Sequence, residues 1–323
     1  MTNVKKIGLT ALAASLVSFS ANAGELTVSG AASIGINGYS AGEKANAPKS
    51  FTMGNQFTVS GGGELDNGMT VSIKYQLDNG AGSPFDDHSV SISGEGMGTL
   101  TIAGHGGSSA ASSIDKTVAG DIWDGFDGSG TIATGITGVK FKDSSPGDNS
   151  VFYTLPSLVD GLKVFASYNP AEAGVNEGET GYGATYTGIE GLSFSWATTD
   201  INSGATASSG EQTSYKATYA YGPVTLGISG SDHDVSAAGS NNHELTSYNL
   251  AYTVSDELSI AYGTEEIDIG GANENAEFSA LVVSYTSGGM TLTGKMEEAE
   301  NVDGSTASAA DQELWFLGAA FAF

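Results

Sequence analysis

Apolar residues fall on every second position through most of the chain, which restricts the fold to sheet whose strands show one face to an apolar medium. Met69, Val71, Ile73, Tyr75 and Leu77 alternate with Thr70, Ser72, Lys74 and Gln76. Leu162, Val164, Ala166 and Tyr168 alternate with Lys163, Phe165, Ser167 and Asn169, and Tyr215, Ala217, Tyr219 and Tyr221 with Ser214, Lys216, Thr218 and Ala220. A soluble β-sandwich alternates too, but its strands run about 5–6 residues. The runs here approach the length of about 9–11 residues that a tilted strand needs to cross a bilayer. Beyond the amino-terminal leader the longest apolar run is Leu314 to Phe323, half of what a spanning helix takes.

The spacing of these runs is itself patterned. Strands are predicted at 25–37, 54–64, 69–78, 86–94, 98–105, 149–155, 161–169, 180–188, 190–199, 211–221, 222–231, 242–253, 257–265, 276–286, 289–299 and 311–323, sixteen in all. Leu65-Asp66-Asn67-Gly68, Glu95-Gly96-Met97, Gly188-Ile189-Glu190-Gly191, Tyr221-Gly222-Pro223, Val254-Ser255-Asp256 and Ser287-Gly288-Gly289 are tight turns by their Asp, Asn, Gly and Pro content. Longer polar links lie between them, at 39–50, 170–179, 200–210, 232–241, 266–275 and 299–310. An even strand count with short turns at one end and long loops at the other predicts an all-β fold, a transmembrane antiparallel β-barrel of sixteen strands.

Residues 1–23 have the form of a signal peptide: Lys5 and Lys6, an apolar stretch from Ile7 to Phe19, and the cleavage triplet Ala21-Asn22-Ala23. The barrel is expected over 24–323. Charge narrows the function. The chain carries 11 Lys, no Arg and 37 acidic residues, for a net charge of −26, so it cannot neutralise a row of phosphates, and nucleic acid is excluded as a partner. The absence of Cys removes thiol catalysis and thiolate metal sites. His88, His105, His233 and His243 fall in no catalytic motif, and neither an EF-hand spacing nor a phosphate loop occurs. No enzyme, catalytic residue, cofactor or metal site is therefore expected.

With these features in place the whole chain resembles the general diffusion porins of Gram-negative outer membranes, in the style of the short-turned alphaproteobacterial ones. Glu25-Leu26-Thr27-Val28-Ser29-Gly30 reads like a porin first strand, and the segment from Tyr153 to Leu162 resembles the strand, turn and strand that follow the inward loop. Trp315, Leu317, Phe321 and the terminal Phe323 stand at alternate positions, similar to the family's signal for recognition by the barrel-assembly machinery. The resemblance implies a barrel in the cell outer membrane among lipid and lipopolysaccharide, usually a homotrimer, passing small hydrophilic solutes by passive diffusion. It also implies a third loop folded inward to narrow the pore. The longest link, 106–148, is the counterpart of that loop, with Ile136 to Lys142 as a short extra strand on it. Asp121-Ile122-Trp123-Asp124-Gly125-Phe126-Asp127-Gly128 stands where the family commonly has Pro-Glu-Phe-Gly.

Parity assigns the pore lining. If the Leu, Val and Tyr positions face lipid, Lys74, Lys163, Lys216 and Lys295 all face the lumen, since a Lys facing lipid at the midplane costs about 2–4 kcal/mol. Asp115, Asp121, Asp124 and Asp127 sit on the long loop, and the resemblance implies that they face the wall lysines across the constriction. The net charge and the acidic loops predict a cation-preferring channel. Tyr39, Phe57, Tyr75, Tyr168, Trp196 and Tyr221 suit interfacial girdles, and Glu265, Glu266, Asp268, Glu297, Glu298 and Glu300 are expected on outer loops. A substrate-specific channel is the alternative, though it calls for a basic lining or an inner aromatic slide. An acidic all-β adhesin or surface-layer protein would show internal repeats at a fixed period, and none is seen.

Overall fold

The computed structural model describes residues 26–41, 50–78, 85–126, 149–170, 178–201, 209–236 and 241–323. Its sixteen strands are β1 (Thr27–Ala41), β2 (Ser50–Glu64), β3 (Thr70–Asp78), β4 (Phe85–Gly94), β5 (Gly98–His105), β6 (Ser150–Thr154), β7 (Leu162–Asn169), β8 (Glu179–Ile189), β9 (Leu192–Ile201), β10 (Gly210–Tyr221), β11 (Val224–Val235), β12 (His243–Thr253), β13 (Leu258–Ile269), β14 (Ala276–Ser287), β15 (Met290–Glu300) and β16 (Gln312–Ala322). Each pairs antiparallel with the next, and β1 closes the ring on β16. Only an even number of strands can close such a ring without a parallel pair. Closure also removes every strand edge, which a sheet surrounded by lipid requires.

Most of the tight turns carry a glycine in the left-handed region. Gly191, at φ 77°, is one; a Cβ there would come within 2.3 Å of the Ala220 carbonyl, so the turn between β8 and β9 demands glycine. The signal segment 1–23, Asp127 and the expected extra strand at 136–142 lie outside the described residues.

The alternation sorts side chains as expected. Ile73, Tyr75, Val164, Tyr168, Tyr219, Tyr221, Leu281, Val283 and Tyr285 are exposed on the outer wall, the surface a barrel presents to lipid. Phe57, Trp196, Leu317, Phe321 and Phe323 share that wall.

Several expectations need correction at the long-loop end. β1 and β2 reach four residues further than predicted, and Tyr39 packs inward against a buried apolar cluster rather than standing in a girdle. β11 runs to Val235 and β13 to Ile269. Glu265 and Glu297 are therefore strand residues that point inward and are 2% and 5% exposed, not outer-loop acids. Glu266, Asp268, Glu298 and Glu300 are strand residues too, on the outward parity. The apolar signal fades near the rim because the outward positions there are acidic, while the hydrogen-bond ladder continues past it.

Those outward acids oppose one another across the sheet. Asp200 pairs in register with Glu211, Glu211 with Asp234, Glu244 with Asp268, Glu266 with Glu277, Glu277 with Glu300, and Glu298 with Glu313. Like charges directly opposite are unfavourable in a sheet, so this belt over β9 to β16 is an electrostatic cost that packing does not require.

Candidate functional site

Part of the lumen is filled. Ile122, Phe126, Leu245, Ile267, Phe278 and Leu314 form a buried cluster inside the barrel, made by the long loop pressing on β12, β13, β14 and β16. Phe126 and Phe278 approach to 5.9 Å between ring centroids. A second cluster joins Ala110 and Ile114 of the loop to Phe165 and Ala197 of the wall. The described part of the loop, residues 106–126, thus folds inward, as expected from the resemblance.

What holds it is a row of wall side chains accepting from its backbone. The Ala110 N–H donates to Ser167 Oγ of β7 at 2.8 Å and the Ala111 N–H to Thr199 Oγ1 of β9 at 3.0 Å. The Val118 N–H donates to Ser229 Oγ of β11 at 2.8 Å, the Ala119 N–H to Ser247 Oγ of β12 at 3.0 Å, and the Trp123 N–H to Glu265 Oε2 of β13 at 3.0 Å. Six strand spacings of about 4.8 Å make roughly 29 Å. The 13 residue-to-residue steps from Ala110 to Trp123 span at most about 43–47 Å, enough for the crossing with a few turns to spare. Gly227 and Gly263 let the chain lie flat on the wall, since a Cβ on either would come within 2.4 Å of Val118 or 2.5 Å of Ala119.

Beside the loop lies a cavity of about 560 Å³. Hydroxyls of Ser89, Thr101, Thr185, Ser193 and Ser195 and the two lysines Lys163 and Lys216 line it, with Asp115 and the backbone of Gly106 and Gly107 on the loop side. Lys163 lies 5.9 Å from the Phe165 ring centroid. Lys216 and Asp115 form a short ion pair. Burial alone would raise the Asp115 pKa, but the Lys216 ammonium and the Thr117 N–H, which donates at 3.0 Å, together hold it below the ordinary carboxylate value.

The other expected residues are placed as follows. Lys74 pairs in register with Ser89, a lumen residue. Lys295 also faces inward, 3.4 Å from Glu297. All four lysines are therefore on the lumen side. Asp121 takes the Thr117 hydroxyl, and Asp124 is exposed at the short helical turn Ile122–Phe126. Asp115 and Lys216 touch, so this pair does not stand across an open gap. Sequence reasoning missed Ser167, Thr199, Ser229, Ser247 and Glu265 as loop anchors. Their only signal is small polar residues at inward positions, which any water-filled barrel also shows.

The sequence profile described as Gram-negative porin matches residues 8–280. The chain belongs to the Gram-negative porin family. Among solved structures, this porin is similar to a variant of the Rhodopseudomonas blastica porin, at 16% identity and a TM-score of 0.64 over 93% of this chain and 100% of that one. It is also similar to the anion-selective porin from Comamonas acidovorans, at 14% identity and a TM-score of 0.68 over 93% and 99% of the two chains. A search of curated proteins finds no match. At such identities the structures establish the fold, and family membership implies a bacterial outer-membrane location and a channel rather than an enzyme.

Proposed function

We propose that this porin is a water-filled channel for passive diffusion of small hydrophilic solutes and ions, with cations preferred. The observation that carries the reading is the polar cavity left beside a stapled inward loop, lined by hydroxyls and charges. Such a lining replaces part of a solute's hydration and repels apolar solutes. Asp115 neutralises Lys216, which leaves Lys163 as the cation bordering the cavity. Asp86 and Asp87 lie at the long-loop end of β4, and with Asp121 and Asp124 exposed on the inward loop they leave an excess of negative charge that favours cations.

Further parts of the reading follow from the outer wall. The rim of β1 to β4 exposes Phe51, Met53 and Phe85, at 75%, 71% and 62%, without the acids that β9 to β16 carry there. An apolar rim suits contact with further copies of this chain in a trimer, and the acidic belt suits the lipopolysaccharide leaflet. Trp315, Leu317, Phe321 and Phe323 serve as the recognition signal for the barrel-assembly machinery, and residues 1–23 direct export.

The test is a planar bilayer with a salt gradient. A reversal potential showing cation preference that weakens from 0.1 M to 1 M salt supports the proposal, since the screening length falls from about 10 to about 3 Å. Anion preference at 0.1 M refutes the selectivity, and absence of conductance refutes the channel.

A further inference from the structure

Where β4 meets the root of the inward loop, the ladder is irregular twice. Register shifts between Tyr75 and Leu77 against β4, and again at His88 and Ser89 against β5. These bulges bring the consecutive residues Asp86 and Asp87 together with His105, the last residue of β5, so that one ligand atom from each lies within 4.8 Å of the others. His105 Nδ1 is 3.8 Å from Asp87 Oδ1. Gln76 Nε2 donates to Asp86 Oδ2 at 3.2 Å, which orients that carboxylate.

We propose that Asp86, Asp87 and His105 form a binding site for a divalent cation of the imidazole-preferring class, with zinc as the type. Two carboxylates stand side by side, and among the described residues no lysine pairs with either. A shared cation relieves that repulsion. The donor set is one nitrogen and two oxygens, and an imidazole in it selects zinc, copper or nickel over magnesium and calcium. Space for the site is built into the backbone: a Cβ on Gly106 would fall 1.7 Å from Asp87 Oδ1. Ligand atoms around a tetrahedral zinc stand about 3.4 Å apart at bond lengths of about 2.1 Å. Side-chain shifts of about 1 Å close the present arrangement onto an ion.

The location gives binding a consequence. Gly106 lines the cavity, and it is the residue against which Asp87 rests. A bound dication cancels two of the mouth's negative charges and ties β4 to the start of the loop. This effect on permeation rests on the channel reading, whereas binding itself does not, so the experiment has two arms.

In the first arm, zinc is titrated calorimetrically into the detergent-solubilised full-length protein, the His105→Ala variant and the Asp86→Asn/Asp87→Asn variant. The site predicts one zinc per chain, bound at micromolar concentration or tighter, that is lost in the double variant. Affinity should fall about tenfold or more in His105→Ala. In the second arm, reversal potentials are read with and without zinc, and cation preference should fall with zinc in the native chain only. Equal zinc affinity in the native and His105→Ala proteins overturns the site, as does equal binding of magnesium. Zinc binding without any conductance leaves the site standing and refutes the channel.

Discussion

Replacing Asp115 with Asn removes one negative charge from the edge of the cavity and leaves Lys216 unpaired. A sphere of 560 Å³ has a radius of about 5 Å, which sets the distance from Asp115 to an ion at the cavity centre. At that distance a unit charge acts with about 0.8 kcal/mol in water-like surroundings. Screening at 0.1 M salt, with a length of about 10 Å, reduces this to about 0.5 kcal/mol. That is a factor of about 2.3 against cations and the same factor in favour of anions, so the permeability ratio should fall about fivefold. At 1 M the screening length of about 3 Å leaves a change of less than about twofold. Reversal potentials in bilayers at the two salt concentrations measure both values. Glu298→Gln is the matched control, since Glu298 points outward from β15 and has the barrel wall between it and the lumen. Equal effects of the two substitutions, or an Asp115→Asn effect that does not shrink with salt, would refute the placement of Asp115 beside the permeating ion.

The same carboxylate predicts a pH response. Its folded pKa lies below the ordinary 3.8, so the clasp to Lys216 is fully present above that value and is lost as pH falls through the lower folded one. Reversal potentials should hold their Asp115 contribution at about pH 4, and Lys216→Met should move its titration upward. Ser229→Ala with Ser247→Ala leaves the Val118 and Ala119 N–H groups without acceptors, at about 1–3 kcal/mol each. Single-channel records should then show added noise and larger openings while the barrel's resistance to heat is kept; quiet records matching the native ones would count against the staples. Deleting Phe323 should lower the amount of porin in the outer membrane while removal of the leader proceeds normally, and membrane fractionation with immunoblotting reads both.

The wall was legible because lipid on one side and water on the other force period two on every strand, and sixteen strands appear where the alternation put them. The lysines follow from the same force, since Lys74, Lys163, Lys216 and Lys295 could not face lipid cheaply. Legibility failed where that force ends. Near the rim the outward positions turn acidic, so Glu265 and Glu297 looked like loop residues although they point inward under the loop. The path of the loop was hidden for another reason. Its donors are backbone amides, which every residue but proline has, and its acceptors are ordinary serines and a threonine, with Glu265, from strands up to 142 positions away. The Asp86, Asp87 and His105 cluster depends on two bulges, which no periodicity reveals.

Because the wall also grips the loop by its main chain, the loop's side chains outside the two buried clusters are free to change. At Ala110, Ala111, Val118, Ala119 and Trp123 the grip asks only for an N–H, so proline alone would abolish it at those five places. Charge at Asp115, Asp121 or Asp124 can be rewritten by point substitution without removing any of those five backbone bonds. A lineage with such a scaffold can follow the nutrients of a new habitat by editing a few codons, and the same freedom makes the loop a place to engineer selectivity while the barrel is left alone.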